Sequence, residues 1–286
     1  DKWASQTYCE NFLENPKGDI TKLNLKRLPQ FQLLLSGFPC QSFSIAGSRK
    51  GFKEKRGTLF FYVAQSIKIY RPKAILLENV RNLKTHDKGR TFSVIKETLE
   101  TDLGYTIYSK VLNSKNFGVP QNRKRIFIVG FKENTNFQFP NGSKETKVKD
   151  ILEKKVDSKY YVSHRSLEGM KAHRARHEAK GNGFGYEVLD KNSVSNTIVV
   201  GGMGHERNLI KDKILDNCWS EGKSGDLPNE EGLRKMTPRE WARLQGFTEN
   251  FKFPVSDTQA YKQLGNSVSV PVLTAICKEI KKSLKY

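Results

Sequence analysis

Long apolar runs are missing from this 286-residue chain, and so is the charged leader with an apolar core that marks a secreted protein. No stretch approaches the roughly twenty residues that a membrane-spanning helix needs, so the expectation is a soluble, intracellular protein with no membrane partner. Cysteine is scarce: Cys9, Cys40, Cys218 and Cys277 stand far apart, with no Cys-x-x-Cys pair. That excludes a short disulfide-stapled scaffold, argues for a reducing compartment and leaves no zinc ligand set, so no metal is expected. His173 and His177 are one helical turn apart, but no cysteine or carboxylate cluster accompanies them, and they read as part of a basic surface. Internal repeats and long low-complexity segments are absent too. Acidic residues are in deficit: 30 Asp plus Glu face 50 Lys plus Arg, a formal charge of +20. The partner implied by such a balance is a polyanion, with nucleic acid first.

Residues 1 to about 131 alternate short apolar strands with amphipathic helices, the pattern of a doubly wound α/β fold with a mostly parallel sheet. Residues 31–35 and 74–77 read as buried parallel strands, and 105–112 and 125–131 as two more. Leu59, Val63, Ile67 and Tyr70 repeat at helical spacing, as do Phe92, Ile95, Leu99 and Leu103, which predicts two helices packed on the sheet. From about Asn141 to Glu231 the composition turns polar and rich in Gly, Lys and Asn. Thr237-Pro238-Arg239-Glu240 then supplies an N-cap Thr, a Pro at the first helical position and a Glu reaching back, a capping box that opens a helix. Leu273, Ile276, Ile280 and Leu284 mark a last amphipathic helix whose Lys281, Lys282 and Lys285 suit its dipole. The expected division is a catalytic domain over 1–140, a smaller loop-rich domain over 141–257 that includes the supporting helix 237–246, and a return to the first domain over 258–286.

Phe38-Pro39-Cys40-Gln41 follows the apolar run Leu33-Leu34-Leu35 and sets a lone thiol where a strand opens into a loop. Ligands bind α/β proteins at the carboxyl ends of strands, and a preceding Pro stiffens the backbone that presents the sulfur. A free cysteine is more often a small buried hydrophobe, so the thiol gains meaning only from what accompanies it. Glu78 ends the strand 74–77, where a carboxylate is costly without a partner or a task, and it would share the strand-end surface with Cys40. Gln121-Asn122-Arg123-Lys124-Arg125 precedes another strand, and alternation points Arg123 and Arg125 the same way, as fixed cations for an anionic backbone or a polar ring.

Five motifs in order carry a resemblance: Gly37-Phe38-Pro39-Cys40-Gln41-Ser42-Phe43-Ser44; Glu78-Asn79-Val80; Gln121-x-Arg123-x-Arg125; Arg239-Glu240-x-Ala242-Arg243-Leu244-x-Gly246-Phe247; and Gly265-Asn266-Ser267-Val268. The chain resembles the carbon-5 cytosine-specific DNA methyltransferases of bacterial restriction-modification systems. The resemblance implies that Cys40 adds to carbon 6 of a cytosine flipped out of duplex DNA, that Glu78 serves ring nitrogen 3 and the exocyclic amine, and that Arg123 and Arg125 hold the ring carbonyl and nearby backbone. It implies S-adenosylmethionine as cofactor, with Asp19, Ile20, Pro39, Leu59, Asn266, Ser267 and Val268 around it. Asp19 would accept from the adenine amine, while Asn266 and Ser267 would touch the methionine end. DNA contacts are expected from Gln41, Ser44 and Arg49 in the glycine- and cation-rich loop 41–57, and from Asn182, Phe184, His205 and Arg207 in a target recognition domain. Such a protein would act as a monomer on double-stranded DNA in the bacterial cytoplasm, at the nucleoid.

Two elements of the family pattern are not in this sequence: the opening Phe-x-Gly-x-Gly cofactor loop and the acidic residue after it. Asp1-Lys2-Trp3-Ala4 looks like the segment that follows them. The expectation is therefore a fragment, or one half of a split enzyme completed by an amino-terminal polypeptide. Gly201-Gly202-Met203-Gly204 follows an apolar run but opens no helical pattern, and reads as a DNA-facing turn rather than as a replacement loop. Two alternatives stay open. A branch of the family methylates transfer RNA, but its expected Cys-Phe-Thr segment does not occur here, which favours DNA. A non-catalytic DNA-binding subunit would suit the missing loop, but it has no need of Cys40, Glu78 and Arg123 together.

Overall fold

Apolar runs become strands and helical periods become helices in the computed structural model of the chain, which describes residues 1–16, 18–39, 59–200, 206–213 and 229–285. In chain order the elements are α1 (Lys2–Phe12), β1 (Leu33–Gly37), α2 (Leu59–Tyr70), β2 (Ala74–Val80), α3 (Arg90–Glu97), β3 (Thr106–Asn113), β4 (Lys124–Phe131), α4 (His164–Glu178), β5 (Ile210–Lys211), β6 (Leu233–Arg234), α5 (Pro238–Gln245), α6 (Asp257–Asn266) and α7 (Val270–Ser283). Contacts divide the chain into two units, one of residues 16–113, 124–141 and 274–286, the other of residues 1–15, 114–123 and 142–273. Among the described residues, no helix is long and apolar enough to cross a membrane.

The first unit is built on a sheet of four strands, in the order β1-β2-β4-β3 among the described residues. β1 and β2 run parallel, with Leu33 opposite Ala74 and Gly37 opposite Glu78. β4 runs antiparallel to both of its neighbours. The α/β fold is as expected, but this sheet is mixed rather than mostly parallel. A parallel return needs a long crossover, usually a helix, whereas the segment joining β3 to β4 carries only the 3-10 turn Ser114–Asn116. Ile75, Leu77, Ile126 and Ile128 present one face of the sheet to Phe60, Val63 and Ile67 of α2 and to Ile95 of α3, all buried in one cluster. Each such side chain stabilises the fold by ~1.5–3 kcal/mol on burial, before entropy is counted. Leu35, expected in a buried strand, is 57% exposed, because β1 stands at the edge of the described sheet.

In the second unit α5 starts as its sequence predicts: Thr237 Oγ1 accepts from Glu240 N at 3.1 Å, and the Glu240 carboxylate accepts from Thr237 N at 2.9 Å. Met236, Trp241 and Leu244 pack with Val148, Ile198, Ile210 and Leu264 into one buried cluster. α1 and residues 258–273, grouped by the sequence with residues 1–140, share their contacts with this unit. Leu264 joins the apolar cluster, and polar contacts bring in α1. Asn11 both donates to and accepts from the Lys252 main chain, at 2.9 and 2.8 Å, and Lys262 Nζ lies 2.9 Å from Asp1 Oδ2.

Candidate active site

Glu78 sits near the end of β2, on the same face as Leu76, and its neighbour on β1 is Gly37. A Cβ at position 37 would stand 3.5 Å from Glu78 Oε2, an ordinary van der Waals contact, so β1 passes close beside that carboxylate. Arg125 enters from β4, where its cross-strand partner is Val80, and brings Nε to 3.2 Å from Glu78 Oε1. Burial lowers the Arg125 guanidinium below its ordinary value, and the Glu78 charge works against that shift. Asn79 faces the opposite side of β2. Its Nδ2 donates to Phe38 O at 2.6 Å and its Oδ1 accepts from Val80 N at 2.8 Å, which ties the segment leading to residue 40 onto β2. Sequence reasoning assigns no role to Asn79; its one signal is a polar residue continuing an apolar run.

Arg123 lies just before β4. β4 begins at Lys124, and residues 121–123 fold as successive tight turns (Gln121 N to Val119 O at 2.8 Å, Arg123 N to Gln121 O at 2.9 Å), so period-two alternation does not reach back to Arg123. Its guanidinium is buried and donates to Ile198 O at 3.0 Å, Gly265 O at 3.2 Å and Ser267 O at 2.7 Å. Arg123 thereby clamps three main-chain carbonyls. Gln245 Nε2 adds bonds to Leu264 O at 2.9 Å and Ser267 Oγ at 3.1 Å, while Gln121 joins Gln245 Oε1 at 3.1 Å and accepts from Ile198 N at 3.1 Å. Arg123 and Gln245 thus hold the main chain at residues 264–267, and Gln121 braces Gln245 from behind. Glycine is required at 265, where a Cβ would stand 3.0 Å from Val200 N and 3.1 Å from Val199 C.

That turn presents Asn266, exposed and without a hydrogen bond among the described residues, and Ser267, whose hydroxyl donates to Leu264 O at 2.7 Å. Both border a cavity of about 260 Å³ walled by Tyr8, Phe12 and Phe251. In the sheet unit, Asp19 Oδ1 accepts from Thr21 N at 2.9 Å and Thr21 Oγ1 at 2.8 Å, and these bonds hold its carboxyl below the usual range. Its second oxygen carries no hydrogen bond among the described residues, which suits it to accept from an amine. Ile20 and Val268 are half-buried, Pro39 is exposed, and Leu59 packs partly against the core at the start of α2.

Asn182 and Phe184 follow α4. Asn182 N donates to His177 O at 2.9 Å, and Phe184 is 55% exposed with its ring 5.6 Å from that of His177. Arg207 lies on the turn Glu206–Asn208 and pairs with Glu187 at 2.9 Å. Behind these loops, Arg234 of β6 is wholly buried. It donates through both terminal nitrogens to Glu240, at 2.8 and 2.9 Å, and through Nε to Asp212 at 2.9 Å. Burial opposes the Arg234 charge, but its two carboxylate partners outweigh burial and raise its pKa. Glu240 also accepts from Glu153 N at 2.9 Å, so one carboxylate caps α5 and anchors two further segments. Cys40, Gln41, Ser44, Arg49 and His205, with the loop 41–57 and the glycines 201–204, lie outside the described residues.

The chain matches the family described as C-5 cytosine-specific DNA methylase over residues 1–282. It is 51% identical over 293 residues to the type II methyltransferase M.HpaII of Haemophilus parainfluenzae, covering 99% of this chain and 82% of that protein. It is 48% identical over 293 residues to the type II methyltransferase M.SsoII of Shigella sonnei, covering 99% and 73%. Among solved structures, the S. pombe Dnmt2 methyltransferase superposes with a TM-score of 0.72 at 18% identity, over 100% of this chain and 90% of that one. The Entamoeba histolytica methyltransferase EhMeth gives 0.71 at 19%, over 100% and 89%. At such identities these two speak for the fold alone.

Proposed function

The chain belongs to the C-5 cytosine-specific DNA methylase family, and on that premise we propose that Cys40, Glu78, Arg123 and Arg125 serve to methylate carbon 5 of a cytosine flipped out of a short duplex site, as the modification half of a restriction-modification system. The single observation that carries the reading is the Glu78–Arg125 pair at a strand end, on the neighbour of the strand that runs into Gly37-Phe38-Pro39-Cys40. A carboxyl group and a fixed cation there match what an electron-poor pyrimidine ring needs on its polar edge.

Carbon 5 of cytosine is a weak nucleophile. Addition of the Cys40 thiolate to carbon 6 forms a carbon–sulfur bond and pushes charge onto the ring, where Glu78, once it has taken up a proton from solvent, donates to nitrogen 3 and Arg125 meets the ring carbonyl. S-adenosylmethionine, when bound, supplies the electrophilic methyl. Loss of the carbon 5 proton to a base then breaks the carbon–sulfur bond and returns the thiolate. Asp19 and Ile20 would hold the adenine end of the cofactor; Asn266, Ser267 and Val268 would hold the methionine end. The donors fit: Asp19 offers an ionised oxygen to an amine, and Asn266 offers an uncommitted amide at the lip of a cavity. Asn182, Phe184, His205 and Arg207, with the segment 141–257 that carries them, would form the target recognition domain. Gln41, Ser44 and Arg49 would add contacts to the DNA, and one copy of the chain serves each site, in the cytoplasm at the nucleoid. The test is methyl transfer from labelled S-adenosylmethionine to duplex DNA and to transfer RNA in parallel. Label at carbon 5 of DNA cytosine is expected; label on transfer RNA alone overturns the reading.

A further inference from the structure

Arg207 and Glu187 form a pair about half exposed on each side, at 2.9 Å. Pairs of that exposure contribute little to stability, yet this one is held from several directions. Asn196 Nδ2 donates to Glu187 Oε2 at 2.5 Å and to Arg207 O at 2.9 Å, gripping both partners at once. Asn196 N in turn donates to Oδ1 of the buried Asn208 at 2.9 Å. The main chain is zipped alongside: Glu187 N donates to Glu206 O at 2.9 Å, and Leu209 N to Glu187 O at 2.9 Å. Only Nη2 of the guanidinium is engaged; Nε and Nη1 make no hydrogen bond with any described residue.

An arginine locked on one side by a carboxylate, with donors left over and its rotamer already fixed, is pre-organised for a planar pair of acceptors. In duplex DNA the base edge offering two adjacent acceptors is guanine, through O6 and N7 in the major groove. We propose that Arg207, aimed by Glu187 and Asn196, reads one guanine of the target site. The inference rests on the assignment of this unit to target recognition. It deepens that assignment by naming the base.

The test is selection of bound duplexes from a randomised pool, with wild-type chain, Arg207→Lys, Arg207→Ala and Glu187→Gln, at matched salt. Wild type is expected to demand guanine at one position. Arg207→Ala loses that preference by about tenfold or more and keeps the others, Arg207→Lys, which can still donate to O6 and N7, keeps part of it, and Glu187→Gln weakens the same position by less than Arg207→Ala. Lysine retains the charge and can keep the pair with Glu187, so a folded Arg207→Lys chain with a graded loss guards against misfolding of the alanine variant. Wild-type preference in a folded Arg207→Ala chain, or a uniform loss at all positions, overturns the proposal. Methyl transfer is measured separately: guanine preference without transfer supports this inference while refuting the enzymatic reading, and transfer without a guanine dependent on Arg207 does the reverse.

Discussion

Arg125 Nε lies 3.2 Å from Glu78 Oε1 across the β2–β4 pairing, with both side chains more than four-fifths shielded from solvent. A shielded pair of this kind makes each partner dependent on the other. Glu78→Gln is expected to lower single-turnover methyl transfer by roughly 10²–10⁴-fold while DNA affinity changes little. Arg125→Met should lose turnover as well, and Arg125→Lys should recover only part of it, because an ammonium cannot reproduce the planar donor. Rapid-quench transfer alongside fluorescence anisotropy separates the two quantities. A loss confined to DNA affinity would place the pair outside the chemistry.

Arg123 yields a different pattern. Arg123→Met leaves the carbonyls of Ile198, Gly265 and Ser267 without their buried donor, at about 1–3 kcal/mol per unsatisfied group. The turn bearing Asn266 and Ser267 should loosen, and S-adenosylmethionine affinity should fall by about tenfold or more, since positional errors near 1 Å carry costs of that order. Calorimetry with the cofactor and a denaturant melt check this. Unchanged cofactor affinity in a destabilised protein would show that the clamp serves folding only.

Arg234 and Glu240 are both fully buried and bonded at two points. Arg234→Met is expected to cost about 3–5 kcal/mol, because it strands the Glu240 charge, whereas replacing both by apolar residues should recover much of the loss apart from the cap on α5. Asp212 adds a pH dependence: burial pushes its carboxyl up, but the bond and charge of Arg234, the charge of Lys191 and the bond from Lys213 N together outweigh this and leave it below the usual value. A depressed carboxylate contributes stability that is complete above its unfolded pKa, roughly 3.9, and is lost as pH falls through the folded value. Urea midpoints should therefore drop in that acid window for the wild type and drop less for Asp212→Asn. Parallel curves would contradict the assignment.

How far these features could be read beforehand depends on their range along the chain. The helices α2 and α5 and the strands β1 to β4 follow from local period and capping, and Glu78 stood out as a carboxylate ending an apolar run. The orientation of β4 was misjudged because strand sequences do not record direction; only the lack of a helical crossover between Asn113 and Lys124 hints at it. The main-chain partners of Arg123 are invisible to alternation, which begins only at Lys124, the first residue of β4. Arg234 and Asn196 act through partners in other segments, Glu240, Asp212 and Glu187 among them. Nothing in the residues adjoining either one announces that.

The account turns on Cys40 as the nucleophile, and the direct measurement is covalent capture on duplex DNA carrying 5-fluorocytosine at the target, in the presence of S-adenosylmethionine. Fluorine cannot leave carbon 5 as a proton does, so the carbon–sulfur bond persists. The full chain is predicted to give a denaturant-stable complex, and Cys40→Ser to give none while binding DNA with the same salt dependence. A crosslink that survives in Cys40→Ser, or wild-type binding to the target without any crosslink, would contradict it.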